Sequence, residues 1–148
     1  MATEASNKVK FLLATKIIDF SNDSFRVALM ASGFSFNKDT HTKWADVSAS
    51  QLTAGSAYGY ALATVTGATV LEDTTNDKCS VIWPNVQWTA SGGSIGPTPG
   101  AIIYDATVTS TTTPSVSSPI IGYYDFGGDQ TQVDGGTFVI VAPEVDLT

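Results

Sequence analysis

Gly92-Gly-Ser-Ile-Gly96 fits the pattern G-x-S-x-G, which in hydrolases lifts a nucleophilic serine onto a turn between a strand and a helix. The context argues against that chemistry. Residues 97–100 are Pro-Thr-Pro-Gly, which cannot open a regular helix, and the only histidine, His41, precedes the serine instead of following it. Without a neighbouring base a serine hydroxyl stays protonated and inert, so Ser94 is expected in a flexible Gly/Ser loop. Asp125-Phe-Gly127 matches the metal-binding triplet of kinases, but no phosphate-covering Gly-rich loop or catalytic-loop motif accompanies it. Asp125, Asp129 and Asp134, with Asp73 and Asp77, raise calcium as a question. The nearest approach to a cation loop, Glu72-Asp-Thr-Thr-Asn-Asp77, lacks the closing bidentate glutamate, which favours turn-forming aspartates. One His and one Cys cannot supply a structural zinc site. His41, in Asp39-Thr-His-Thr-Lys-Trp44, reads as a solvated or hydrogen-bonding loop residue. No catalytic, metal or cofactor-binding residue is assigned, and an enzyme is not expected.

The elements that must carry these residues are mainly β. The chain has 148 residues, 43% apolar and only 14% charged, with Thr, Ser and Gly in place of Lys and Glu. That exchange favours strands and turns over exposed helices, and the length suits one domain. Residues 1–78 hold seven basic against eight acidic side chains, net −1, whereas residues 79–148 hold six carboxylates and no Lys, Arg or His, net −6. Neutralising phosphates needs cations, so nucleic acid is not an expected partner, and acidic membrane surfaces are disfavoured for the same reason. The single cysteine, Cys79, excludes an intrachain disulfide. The opening residues lack the basic start of a secretory signal, and no apolar run reaches the roughly 20 residues needed to span a bilayer. Synthesis in the cytoplasm is expected.

Apolar residues at 9, 12, 13 and 17 predict one short helix over 7–18, with Asn7 as N-cap and Lys8, Lys10 and Lys16 on other faces. Residues 1–8 are expected to form a flexible arm. Phe25–Met30 alternates as a strand, and Tyr60–Thr66, Lys78–Trp83, Val86–Thr89 and Ala101–Tyr104 read as further strands. A helical turn is expected near Val47–Leu52, and Pro84 implies a bulge or an edge position. Thr107–Pro119 is a Thr/Ser-rich excursion loop, since only about 30 residues follow it, too few for an independent domain. Some eight strands suggest a single-domain β-sandwich or barrel, the jelly roll being one option.

The closing stretch Ser118–Val141 places two apolar, aromatic-rich runs around a polar connection with two Gly-Gly pairs, three aspartates and no basic residue. It reads as two strands closing the sheet. Phe138 and Ile140 share one face. Val139 and Val141 on the other face predict a last strand covered on both sides, by the helix or by another subunit. Phe34, Phe36 and Trp44 lie in a loop too polar to bury itself, and either cap the sandwich or meet a partner. With Lys8 and Lys10 on the arm, these seven residues are the candidate interface.

Asp23-Ser-Phe-Arg-Val-Ala-Leu-Met-Ala31, Asp39-Thr-His-Thr-Lys-Trp-Ala-Asp-Val47 and Ile121-Gly-Tyr-Tyr-Asp-Phe-Gly-Gly-Asp-Gln130 together resemble a family of small virion proteins of tailed bacteriophages. Gly100-Ala-Ile-Ile-Tyr-Asp105 and Gly136-Thr-Phe-Val-Ile140 extend the likeness, which covers about residues 8–141. Gly92–Gly100 and Thr107–Pro119 have no counterpart in it. The resemblance implies a β-rich capsid decoration, or cement, protein that assembles as a homo-oligomer. Its partners would be the major capsid protein and further copies of itself, on the capsid surface of a virion assembled in the host cytoplasm. A tail or fibre component is the alternative. A carbohydrate-binding module using Trp44 as a stacking platform is the rival from a different class.

Overall fold

The computed structural model describes residues 3–53, 57–109 and 115–148. Strand β1 is Thr3–Ala5, followed by helix α1 at Asn7–Ala14 and β2 at Phe25–Leu29. Two 3₁₀ turns, Trp44–Asp46 and Ser48–Ser50, precede β3 (Ala63–Val65), β4 (Thr69–Asp73), β5 (Lys78–Ile82) and β6 (Val86–Thr89). Then come β7 (Ile95–Asp105), β8 (Ile120–Gln132), β9 (Thr137–Ile140) and β10 (Glu144–Leu147). The fold is a mainly β sandwich with one short N-terminal helix, as expected.

The alternation of β2 divides the interior in two. Phe25, Val27 and Leu29 face the main core, while Ala28 and Met30 face a second, smaller one. Neighbouring strands keep that division: Ala101 and Ile103 of β7 point into the main core, and Ile102 and Tyr104 into the other. These strands form a five-stranded antiparallel sheet in the order β1-β8-β7-β2-β3. A register shift at Tyr104, which faces Ile120, puts Gly122 opposite Ile103. A Cβ on Gly122 would lie 3.0 Å from both methyls of Val145 and 2.7 Å from the Glu4 carbonyl, so only glycine lets β10 pack this closely.

The facing layer is a bent ribbon. Strands β10-β5-β4 form one sheet and β6-β9 another, grouped differently from the paired four-stranded sheets of a jelly roll. The chain passes directly from β5 to β6 and from β9 to β10, and both passages kink at proline. The Trp83 amide donates to the Pro143 carbonyl (2.9 Å) and the Ala142 amide to Asn85 Oδ1 (2.8 Å), which holds the two kinks together. Pro84 therefore sits in a hinge between two sheets.

Several expectations need correction. From Thr3 onward the supposed arm is fixed: β1 pairs with β8, Ser6 is buried, and its amide donates to Ile121. Residues 1–2 lie outside the described residues. Ser6, not Asn7, occupies the N-cap, and the helix ends at Ala14 instead of 18. Lys16 adopts φ +57°, and bonds from Lys16 N to Leu13 O and Ile17 N to Leu12 O close a Schellman cap there. The apolar face was sound: Val9 and Leu12 are buried, and Leu13 and Ile17 pack against them.

The closing runs do become strands, but β8 continues through the Gly-rich stretch to Gln132. It pairs with β7 and β1, whereas β9 pairs with β6. Strand β7 likewise begins inside the expected Gly/Ser loop. Strand β4, exposed along nearly its whole length, lacks the alternation that marks a strand in sequence, and β10, Glu144-Val-Asp-Leu147, alternates over only four residues. Of the Thr107–Pro119 loop, 110–114 lie outside the described residues, while Val108 and Val116 are buried.

Candidate functional site

The groups that invited chemistry serve turns and packing. Ser94 leads into β7, not into a helix. His41 Nδ1 accepts the Asn37 amide (3.1 Å), and its ring stacks on Phe34 with centroids 5.8 Å apart. Asp73 accepts the amides of Thr75 and Asn76. Hydrogen bonds from Asn76 and Thr75 outweigh its slight desolvation and hold its carboxyl below the usual value. Asp125 accepts the Gly127 amide, Asp129 the Ser32 hydroxyl and Asp134 the Gly92 amide, so the three aspartates fasten three separate places. Among the described residues, no group of three or more His, Cys, Asp or Glu is placed to hold a metal.

The seven candidate interface residues fall into three places. Lys8 and Lys10 lie on α1, with the Lys8 ammonium 5.3 Å from the Phe11 ring centroid. Phe34, Phe36 and Trp44 cap the outer face of the five-stranded sheet and stay half-buried. Trp44 stacks on Tyr104 at 4.7 Å and 11°, so one of its faces is taken. Val139 and Val141 are 42% and 65% exposed in the single chain, so of the two expected covers, the helix and another subunit, the helix is ruled out. The helix cannot supply the cover, because Val9 and Leu12 are committed to the main core.

Those two valines border a groove of about 490 Å³ between the distal half of β8 and β9, floored by Tyr124, Phe126 and Phe138. No charged side chain lines it. Beyond Tyr124, β8 has outrun its β1 partner, so its edge there borders the groove without a strand beside it among the described residues.

A second cleft, of about 480 Å³, opens on the outer face. Its floor is Tyr123, whose ring lies over Gly100; a Cβ there would meet the phenol oxygen at 2.3 Å. Phe36 stacks on Tyr123 (5.6 Å, 26°) and Phe34 meets it edge-on (5.6 Å, 62°). Glu4 pairs directly with Tyr123 across the β1–β8 ladder, and Asp125 follows two residues along β8, so both carboxylates flank the ring on one face. Burial, then Asp125 and Asp129, push the Tyr123 hydroxyl up to about 12. Sequence reasoning found Phe34 and Phe36 but missed Tyr123, hidden in an apolar run, and Glu4, assigned to the arm.

A third feature closes the end of the main core. Asp105 is fully buried, with Oδ1 accepting the amides of Thr107 (2.8 Å) and Val108 (3.2 Å). Its Oδ2 is buried and has no hydrogen-bond partner among the described residues, and Asp23 is the acid that acts on it. Burial first, then Asp23, push the Asp105 carboxyl up to about 7. The only sequence signal was an aspartate ending the apolar run Ala101–Tyr104.

Among the described residues, no helix is long and apolar enough to cross a membrane. No protein-family model matches the chain, and no curated protein or solved structure is significantly similar to it.

Proposed function

We propose that the chain is a structural protein of a tailed-bacteriophage virion, a decoration or cement protein that binds the outer capsid shell through protein–protein contacts. The observation that carries this reading is the uncharged β8–β9 groove with Val139 and Val141 on its rim. An uncharged groove that mixes aromatic and aliphatic side chains with Gln130, Thr131, Gln132 and Thr137, next to an unpaired strand edge, suits a protein partner. The second half's net charge of −6 discourages adhesion to the packaged genome. Repeated weak contacts from a symmetric oligomer would add through multivalency.

The test is binding of the purified protein to isolated expanded capsids of the encoding phage, with cryo-EM of the intact particle. Wild type is expected to sediment with capsids and to give density on the head. Val139→Asp combined with Val141→Asp should lower capsid affinity at least tenfold while leaving the melting temperature nearly unchanged. Density on the tail would select the tail or fibre alternative. No density anywhere, together with a ligand on a glycan array, would select the carbohydrate-binding reading. Deleting residues 1–8 is an unsuitable test, because it removes β1 and opens α1; charge reversal of Lys8 and Lys10 probes the helix surface instead.

A further inference from the structure

The outer cleft combines three properties that seldom coincide by packing alone. Its floor is aromatic, with the Phe34 and Tyr123 rings meeting at 62° to form a corner. Its two sides are carboxylates, Glu4 and Asp125, held in register by the β1–β8 ladder. It is also uncompensated: no Lys, Arg or His lines it, and among the described residues neither carboxylate lies within 4.0 Å of a cationic nitrogen. The Gly127 amide takes one oxygen of Asp125 at 2.8 Å, which fixes the carboxylate and leaves its second oxygen available.

The negative faces of aromatic rings attract a cation, and the attraction grows where the site is shielded from water. An ammonium ion is a strongly hydrated point charge and gains little from ring stacking. A guanidinium is planar, weakly hydrated, stacks on aromatic faces and forks onto carboxylates, which matches a stacked floor with acids on either side. We propose that the cleft bounded by Glu4, Asp125, Phe34, Phe36 and Tyr123 receives the arginine side chain of a protein partner. This does not rest on the shell-binding reading: an arginine can be presented by any partner, and the test below uses the isolated protein. A failure here leaves shell binding standing, and the reverse holds as well.

The experiment is an NMR titration of the full chain at about 0.15 M salt, where long-range attraction to the acidic surface is screened. The probe is a blocked Gly-Gly-Arg-Gly-Gly peptide, with its citrulline and lysine counterparts as controls. Saturable shifts are expected at the ring signals of Phe34, Phe36 and Tyr123 and at the amides of Gly127 and Gly128. Citrulline, isosteric but neutral, should bind at least tenfold more weakly, and lysine severalfold more weakly. Glu4→Gln with Asp125→Asn should abolish the arginine preference; both side chains lie at the surface, and an unchanged melting temperature checks the fold. If folding is disturbed, Phe36→Leu tests the ring contribution separately, with a severalfold loss of arginine binding expected. Equal shifts with citrulline, non-saturating shifts spread over the acidic surface, or undiminished binding by the folded double variant would each overturn the proposal.

Discussion

The five-stranded sheet is covered in two different ways. Its inner face lies under the bent ribbon of β5, β6, β9 and β10 and under α1. There Phe20, Phe25 and Trp83 form an aromatic cluster with centroids 5.3–6.0 Å apart. The outer face lies under residues 31–52, a loop with two 3₁₀ turns. Phe34, Phe36 and Trp44 reach down from this loop onto Tyr104 and Tyr123, yet each stays half-buried. The regular elements seal the main core beneath them, whereas an irregular cover of large rings leaves part of each ring exposed. Stability is therefore concentrated on the inner side, and the outer side is left free to present an aromatic cleft.

The sharpest way to break this contrast is to truncate one tryptophan on each side. Trp83 is 1% exposed, and Trp83→Ala should cost about 3–5 kcal/mol through lost burial and the cavity left behind. Trp44→Ala should cost only about 1–2 kcal/mol, since the ring is half in water already and loses one stacking partner. Denaturant melts of the two variants check the ratio. Equal losses would mean that the outer loop is as integral to the fold as the ribbon.

The inner side also contains its own weakness, the buried Asp105 carboxyl. Burial pushes the Asp105 carboxyl up to about 7 in the folded protein, against 3.8 for a free aspartate side chain. Between those values the folded protein holds a proton that the unfolded chain has released. Stability therefore falls as pH rises from about 4 to about 7, then levels off. Asp105→Asn keeps an oxygen for the Thr107 and Val108 amides and removes the buried charge. It should stabilise the protein by on the order of 2–3 kcal/mol at pH 8 and have little effect at pH 4. Melting temperatures of both proteins across that range decide it. A variant with an unchanged pH slope would show that Asp105 is not the group that sets it.

What the sequence disclosed follows the same division. The faces of β2 and α1, the strand Val86–Thr89 and the sandwich class were legible because burial on one side imposes a period. The outer cover was legible only as an alternative, cap or contact, since Phe34, Phe36 and Trp44 follow no repeat and their partners Tyr104 and Tyr123 come from β7 and β8. Strand β4 escaped because an exposed edge strand has no buried face to pattern. The two acids of the outer cleft escaped because β1 is three residues long, and nothing local announces that Glu4 will meet Tyr123, 119 positions later. Register across distant strands is a property of the assembled sheet.

The smallest effect concerns how the outer cover is held. Asp46 Oδ2 accepts the amides of Thr42 (2.9 Å) and Lys43 (3.0 Å) and the Thr42 hydroxyl, closing the turn that presents Trp44. Burial pushes its carboxyl up, but these bonds and the Lys43 charge outweigh that and hold it below the usual aspartate value. A depressed carboxyl contributes stability above its unfolded pKa and loses it as pH falls through the lower folded value. Asp46→Ala should therefore cost about 0.5–1 kcal/mol at neutral pH, the usual worth of a capping side chain, and progressively less below pH 4. If the two covers are separable, amide exchange in this variant should accelerate over residues 42–50 while the amides of β2, β7 and β8 keep their protection. Faster exchange in β2 as well would show that the loop and sheet open as one unit, and the outer side could then no longer be treated as a recognition surface laid over an independent core.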